Sequence, residues 1–234
     1  MSRLREFIRP KWWWTVFWMR FAGTGRCGRL ATRLATWFAP PYKGRRYLAR
    51  LHPRGFISPA AEIDFAALRS GANVFIDDRV VVHRAEGASG TFTLGDRASL
   101  HRDTIFEIGP GGEIIIGDDT HIQPRCLFAS YEAPIRIGRE VQIAAQCCFY
   151  SYDHSFSPGR SIMEQPLKTK GGIVLEDGVW FGVGVIVLDG VRIGAGAVVG
   201  AGSVVTRDIP ANALAVGAPA RVVGDRGACD PATP

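Results

Sequence analysis

A histidine next to a carboxylate, Asp153-His154, stands in the segment SYDHSFSPGRSIMEQPLKTK, residues 151–170. Imidazole titrates near neutrality, so one such side chain can take a proton from a hydroxyl or amine and later hand it on. Asp153 is a candidate to orient or polarise that ring. The plain alternative is an exposed loop histidine with no role. The five cysteines, at 27, 126, 147, 148 and 229, are odd in number and include no Cys-x-x-Cys, which speaks against a disulfide framework or a structural zinc ribbon. A reducing compartment, the cytoplasm, fits that usage.

What must position His154 is a short repeat. From Leu175 the chain divides into LEDGVW, FGVGVI, VLDGVR, IGAGAV, VGAGSV and VTRDIP. An aliphatic or aromatic residue opens each unit, a small or β-branched residue usually holds the fifth place, and glycine recurs at the second and fourth. The same phase passes through Ile76 and Val82, then Leu94, Leu100 and Phe106, Ile116, Ile122 and Phe128, and Ile137, Ile143 and Phe149. Six residues are too few for a helical hairpin, and no 3.6-residue pattern runs through 57–225, so each unit reads as one short strand and a corner. Three units make one coil, which buries its first-position side chains when coils stack. Coil starts at Ile76, Leu94, Ile116, Ile137, Leu175 and Ile193 then imply insertions of 4, 3 and 20 residues, the first two near Gly109-Pro110-Gly111-Gly112 and Tyr131-Glu132-Ala133-Pro134. The third is the segment bearing His154. Cys126 and Cys147 fall at fifth positions and read as core.

The hexads, together with GAGSVVT-x-DIP and VGAPARV near the C-terminus, resemble the hexapeptide-repeat acyltransferase superfamily, over about residues 57–225. Within it the chain resembles acetyltransferases that modify sugars, including those of the galactoside and maltose type and the O-acetyltransferases of bacterial surface polysaccharides. The resemblance implies an all-β fold, a left-handed parallel β-helix, preceded here by a short N-terminal amphipathic helical segment. It also implies a homotrimer with acetyl-CoA and a sugar or glycan acceptor held in clefts between subunits, and no metal. His154 matches the general base of such enzymes, with Asp153 beside it. Gln123 falls where relatives place an Asn near the acceptor. Trp180 matches a tryptophan of the acetyl-CoA cleft, Ala201, Gly202 and Thr206 match positions along the pantetheine arm, and Arg207 and Arg221 match basic residues near the nucleotide phosphates. A γ-type carbonic anhydrase shares the β-helix but needs two histidines five residues apart, and no such pair exists here. His83 and His101, three hexads apart and both at second positions, are expected to stack on successive coils and to face outward. A non-catalytic trimeric scaffold presenting a membrane-binding tail is the rival reading.

That tail carries the charge asymmetry. Residues 1–54 hold 13 Lys/Arg against Glu6 alone, whereas 55–234 hold 15 against 21 acids. Five of the six tryptophans, 12, 13, 14, 18 and 37, lie among these basic residues. The apolar run from Trp12 to Met19 is eight residues, too short to span a bilayer, which takes about 20. With no clear cleavage site after it, a signal peptide is not indicated. An interfacial segment on an anionic membrane surface, through residues 1–41, fits aromatic rings mixed with arginine; packing on the main domain is the alternative. No nucleic-acid module accompanies the segment, so nucleic acid is not expected as a partner. The division expected is therefore 1–54 as interfacial segment and linker, 55–225 as the β-helix with its protruding loop 151–170, and 226–234 as a flexible tail. The protein is expected on the cytoplasmic face of the membrane.

Overall fold

The computed structural model describes residues 10–228. From Phe56 the chain winds into a three-sided parallel β-helix, with nine strands in sheet A, seven in sheet B and six in sheet C. Hexad openings stack in register: Ile76, Leu100, Ile122, Ile143, Phe181 and Val199 up sheet A. Val82, Phe106, Phe128, Phe149, Val187 and Val205 rise up sheet B. Leu94, Ile116, Ile137, Leu175 and Ile193 rise up sheet C. All of these are buried. Phe106, Phe128 and Phe149 stack with centroids 4.9 and 4.6 Å apart, a ladder inside sheet B. Polar fifth-position residues satisfy themselves on the backbone of the next coil: Thr120 Oγ1 donates to Gly138 O at 2.8 Å, and the Cys126 and Cys147 thiols donate to Ala144 O and Gly182 O.

Each corner turns through the left-handed backbone region at the fourth hexad position. Arg79, Arg97, Asp103, Asp119, Arg125, Glu140 and Gln146 adopt φ of 53–64° there, and Gly178, Gly184, Gly190, Gly196 and Gly202 take over in the last coils. Glycine does this without steric cost, and the side chains that replace it do not. Some of those side chains pair up the corners, Arg79 with Asp103 at 2.7 Å and Arg97 with Asp119 at 2.6 Å.

The register sharpens where the extra residues go. Leu94 pairs with Ile116, Ile116 with Ile137 and Ile137 with Leu175, as the hexad phase implies. Ile76, however, lies on sheet A and Leu94 on sheet C, so they do not open successive coils. Leu94 pairs instead with Ser70 on the coil before, and this turn of the β-helix carries an insertion at 85–91. All four insertions, 85–91, 109–112, 131–134 and 151–172, leave sheet B and return on sheet C. They stack into one ledge. A Cβ on Gly90 would lie 1.8 Å from Gly112 O, and one on Gly112 would lie 1.9 Å from Ser130 O, so glycine is required where these turns touch.

Before the β-helix come α1 (Pro10–Met19), α2 (Arg26–Ala35) and a 3₁₀ segment, Tyr42–Arg50. These elements dock on the β-helix through a second core of Met19, Ala35, Leu48, Ala49, Phe56 and Phe75. Arg45 bonds Asp78 at 3.0 Å, Asn73 Nδ2 donates to Ala49 O and His52 O, and Arg29 Nη2 donates to Pro59 O. Trp18 packs against this core, but Trp13, Phe17 and Phe21, spaced at intervals of four on one face, are exposed, as are Leu30 and Trp37. No described helix is long and apolar enough to cross a membrane. At the other end, Arg226–Ala228 form a short 3₁₀ turn, with Arg226 N donating to Asn212 O at 2.7 Å.

His83 and His101 do not stack. His83 sits on sheet B opposite Glu107, whereas His101 follows Leu100 at the corner leaving sheet A. His101 points away from the β-helix axis, yet it is wholly buried, because the 3₁₀ segment lays Tyr42 against it beside Phe75. Neither ring nitrogen has a hydrogen-bond partner. Burial, helped by Arg46 and Lys43, pushes its pKa down to about 3, so the unfolded chain binds this proton more readily. Between about pH 6.5 and 3, falling pH therefore destabilises the fold, at most by about 1.4 kcal/mol per unit. Replacing His101→Leu removes that term, and denaturant titrations should show the variant's advantage over the parent growing by about 2 kcal/mol from pH 7.5 to 5. A constant difference would mean that His101 is not held neutral.

Candidate active site

The 151–172 insertion leaves sheet B after Tyr150 and forms an antiparallel pair, Asp153–His154 with Leu167–Lys168. His154 is exposed. Successive strand residues face opposite sides, so Asp153 does not share the face of His154, and among the described residues no hydrogen bond joins them. The ring two residues back does share it: Tyr152 lies 6.3 Å from the imidazole. Tyr152 is 5.0 Å from Tyr131, on the preceding insertion, and 6.4 Å from Tyr150. Three half-buried tyrosines thus form a shelf beside His154. Gly109 makes room for it, since a Cβ there would fall 1.8 Å from the Tyr131 ring.

Glu107 lies below the shelf, on the column of sheet B that runs through Ala129 to Tyr150. Burial raises all three phenol pKa values, and the Glu107 charge raises them further. The phenols therefore stay protonated and can donate hydrogen bonds at neutral pH. Sequence reasoning passed over the shelf. Its signal was present in Tyr150 and Tyr152, two apart at a strand end and so on one face, but Tyr131 joins them only through the stacking of the ledge.

The other expected site residues occupy different edges. Gln123, Ala201 and Gly202 lie at corners between sheets A and B, Gly202 with open space where a side chain would stand. Trp180 is on sheet A, 52 % exposed, flanked by Gln142 and Val198. Thr206 and Arg207 follow Val205 at the edge between sheets B and C, the edge that carries His154. Arg221 pairs across from Val216 in the closing hairpin, next to Ala220, whose N–H reaches Val204 O at 2.8 Å. One chain therefore brings His154 and the tyrosines together and carries Thr206 and Arg207 on the same edge, two coils further along. It does not bring Gln123, Ala201 or Gly202 to them. Among the described residues, no group of three or more His, Cys, Asp or Glu is placed to hold a metal ion.

Fold and repeat define the chain as a left-handed β-helix of hexapeptide units. Residues 172–207 match the bacterial transferase hexapeptide family, six repeats. A Schizosaccharomyces pombe protein named as an acetyltransferase, C18B11.09c, is 43% identical over 51 residues, 22% of this chain and 25% of that protein. The match thus spans about a quarter of that curated relative. Among solved structures, AntD, an N-acyltransferase from Bacillus cereus in complex with dTDP and 3-hydroxybutyryl-CoA, superposes with a TM-score of 0.56 at 22% identity, over 68% of this chain and 82% of that one. The polySia-specific acetyltransferase NeuO gives 0.54 at 24%, over 68% and 69%. These two likenesses show the shared fold.

The loop bearing His154 is latched at its return. Asp189, almost fully buried, accepts from Thr169 Oγ1 and Gly172 N, both at 2.9 Å, and from Lys170 N. In Asp189→Ala these donors lose their acceptor, at about 1–3 kcal/mol for each one left buried and unpaired. The variant should be less stable by about 2–4 kcal/mol in denaturant, and trypsin should cut at Arg160 several times faster. Unchanged cleavage would show that the loop does not depend on this latch.

Proposed function

We propose that the protein is an acetyl-CoA-dependent acetyltransferase whose acceptor is a sugar hydroxyl, with His154 as general base. The observation that carries this reading is the placement of His154 against the tyrosine shelf on a latched loop. A pyranose offers C–H faces that lie on aromatic rings and hydroxyls that take phenolic hydrogen bonds. In the step proposed, the His154 imidazole accepts the acceptor's hydroxyl proton while that oxygen attacks the thioester carbonyl. The C–S bond then breaks, and the proton passes to the departing sulfur as the C–O ester forms. Asp153 contributes negative charge near the imidazolium without touching it.

Acetyl-CoA fits the remaining residues. Open space at Gly202, next to the exposed Ala201, admits an amide-rich arm, Trp180 offers an exposed indole, and Arg207 and Arg221 offer cations for phosphates. Because Gln123, Ala201 and Gly202 lie on a different edge from His154, the site is completed in a homotrimer by a neighbouring chain. The AntD and NeuO structures support the acyl-CoA and sugar halves of the reading by what they bind or act on.

The N-terminal segment is proposed to rest on an anionic membrane surface at the cytoplasmic face. Trp13, Phe17, Phe21, Leu30 and Trp37 are exposed, Trp37 by 71 %, beside Arg20, Arg26, Arg29 and Arg33. Rings at headgroup depth with arginines nearby suit such a surface. The acceptor is then a membrane-associated glycan or its precursor.

Two variants separate the two claims. His154→Ala should fold and should sediment with phosphatidylglycerol vesicles like the parent, yet lose about 10²–10⁴ of its transfer rate to a soluble glycan. Trp13→Ser/Trp37→Ser should keep that rate and lose sedimentation. Near-full transfer by His154→Ala contradicts the base assignment. A parent that sediments but transfers acetyl to no glycan favours the scaffold reading.

A further inference from the structure

Where the N-terminal segment roofs sheet A, it leaves two adjoining clefts. The first, about 660 Å³, lies over the outer face of the early coils and is lined by Arg46, Arg50, Arg97, Asp119, Ser99 and His121. Its one carboxylate, Asp119, is already held by Arg97 at 2.6 Å. Arg46 and Arg50 are exposed and have no ion-pair partner among the described residues, so this cleft keeps two uncompensated cations. The second cleft, about 630 Å³, is lined by Lys11, Trp12, Thr15, Phe38, Pro40 and Leu51, with the Lys11 ammonium over the Phe38 ring. Arg50 and Tyr47 line both. An apolar trough thus runs into a cationic one.

We infer that this double cleft binds a lipid phosphate, with its phosphate on Arg46 and Arg50 and its hydrocarbon chain between α1 and the 3₁₀ segment. Guanidinium pairs are suited to phosphate oxygens, and an apolar channel opening beside them is surplus to a nucleotide or a free sugar phosphate. Supply is at hand as well. Helix α1 forms the wall of the apolar cleft through Trp12 and Thr15, and on its other side presents Trp13, Phe17 and Phe21 to solvent. A lipid leaving the bilayer beside that ridge would need to pass only around one helix. The inference rests on the membrane contact proposed for α1 and is independent of the acetyl-transfer chemistry.

The test uses the full chain and a soluble probe, dihexanoylphosphatidic acid below its micelle concentration, in titration calorimetry. Its outcome is thereby separate from vesicle sedimentation. Phosphatidic acid should bind at least tenfold tighter than inorganic phosphate, which lacks the chains, and than dihexanoylphosphatidylcholine, whose phosphate is masked. Arg46→Gln/Arg50→Gln should lose at least tenfold in affinity, and both side chains are exposed, so the fold should survive. Trp13→Ser, on the opposite side of α1, should bind as the parent does. Equal binding of inorganic phosphate, undiminished binding by the arginine variant, or displacement of the probe by CoA would each overturn the assignment, the last by giving the cleft to the co-substrate.

Discussion

The β-helix and the ledge it carries follow from the requirement that parallel coils stack in register with one hydrophobic column per side. A coil can lengthen only by pushing residues out at a corner, because an extra residue within a strand would turn buried side chains outward all along it. Here all the lengthening happens at the edge between sheets B and C. Four successive insertions pile onto one another there, and Ser130, Ser151 and close-fitting glycines tie each to the next. The ledge is thus a built support, and the His154 loop is its last and longest layer. Rigid stacking beneath a single elaborated loop is how a solenoid, which has no natural pocket of its own, can hold a protruding side chain in place.

The same economy shapes sheet A. Its outer face is divided: the early coils, through Phe75, Ser99 and His121, lie under the N-terminal segment, and the later coils, through Gln142, Trp180 and Val198, are bare. Roofing the first half buries His101 without a partner for either nitrogen, a cost the packing of Met19, Leu48, Phe56 and Phe75 must exceed. The bare half, with an exposed tryptophan and the A–B corners beside it, is the part that the proposed trimer and acetyl-CoA would use.

Much of the β-helix was legible in the residues because its rule is local. The first-position column, the buried fifth position of Cys126 and Cys147 and the insertions near 109–112 and 131–134 can be read by counting in sixes, and they lie where counting puts them. Counting failed at Ile76, where the extra length at 85–91 amounts to one full hexad and so leaves the phase unbroken while shifting the chain to another side. It also could not foresee the burial of His101, which depends on where a distant segment docks, or the tyrosine shelf, which depends on two insertions lying side by side. Of the tryptophans, Trp18 packs against the second core, as the packing alternative expects, while Trp13 faces out.

The separation of His154 from Ala201 and Gly202 onto different edges makes the proposed active site a shared one, and mixed assemblies address that directly. His154→Ala and Ala201→Trp chains, the second blocking the acetyl-CoA arm with bulk, would each be inactive alone. Refolded together at equal amounts into trimers, they should regain about a quarter of the parent's transfer rate, because about one interface in four then pairs an intact His154 with an intact Ala201. No recovery, with trimers confirmed by light scattering, would contradict a site built between chains.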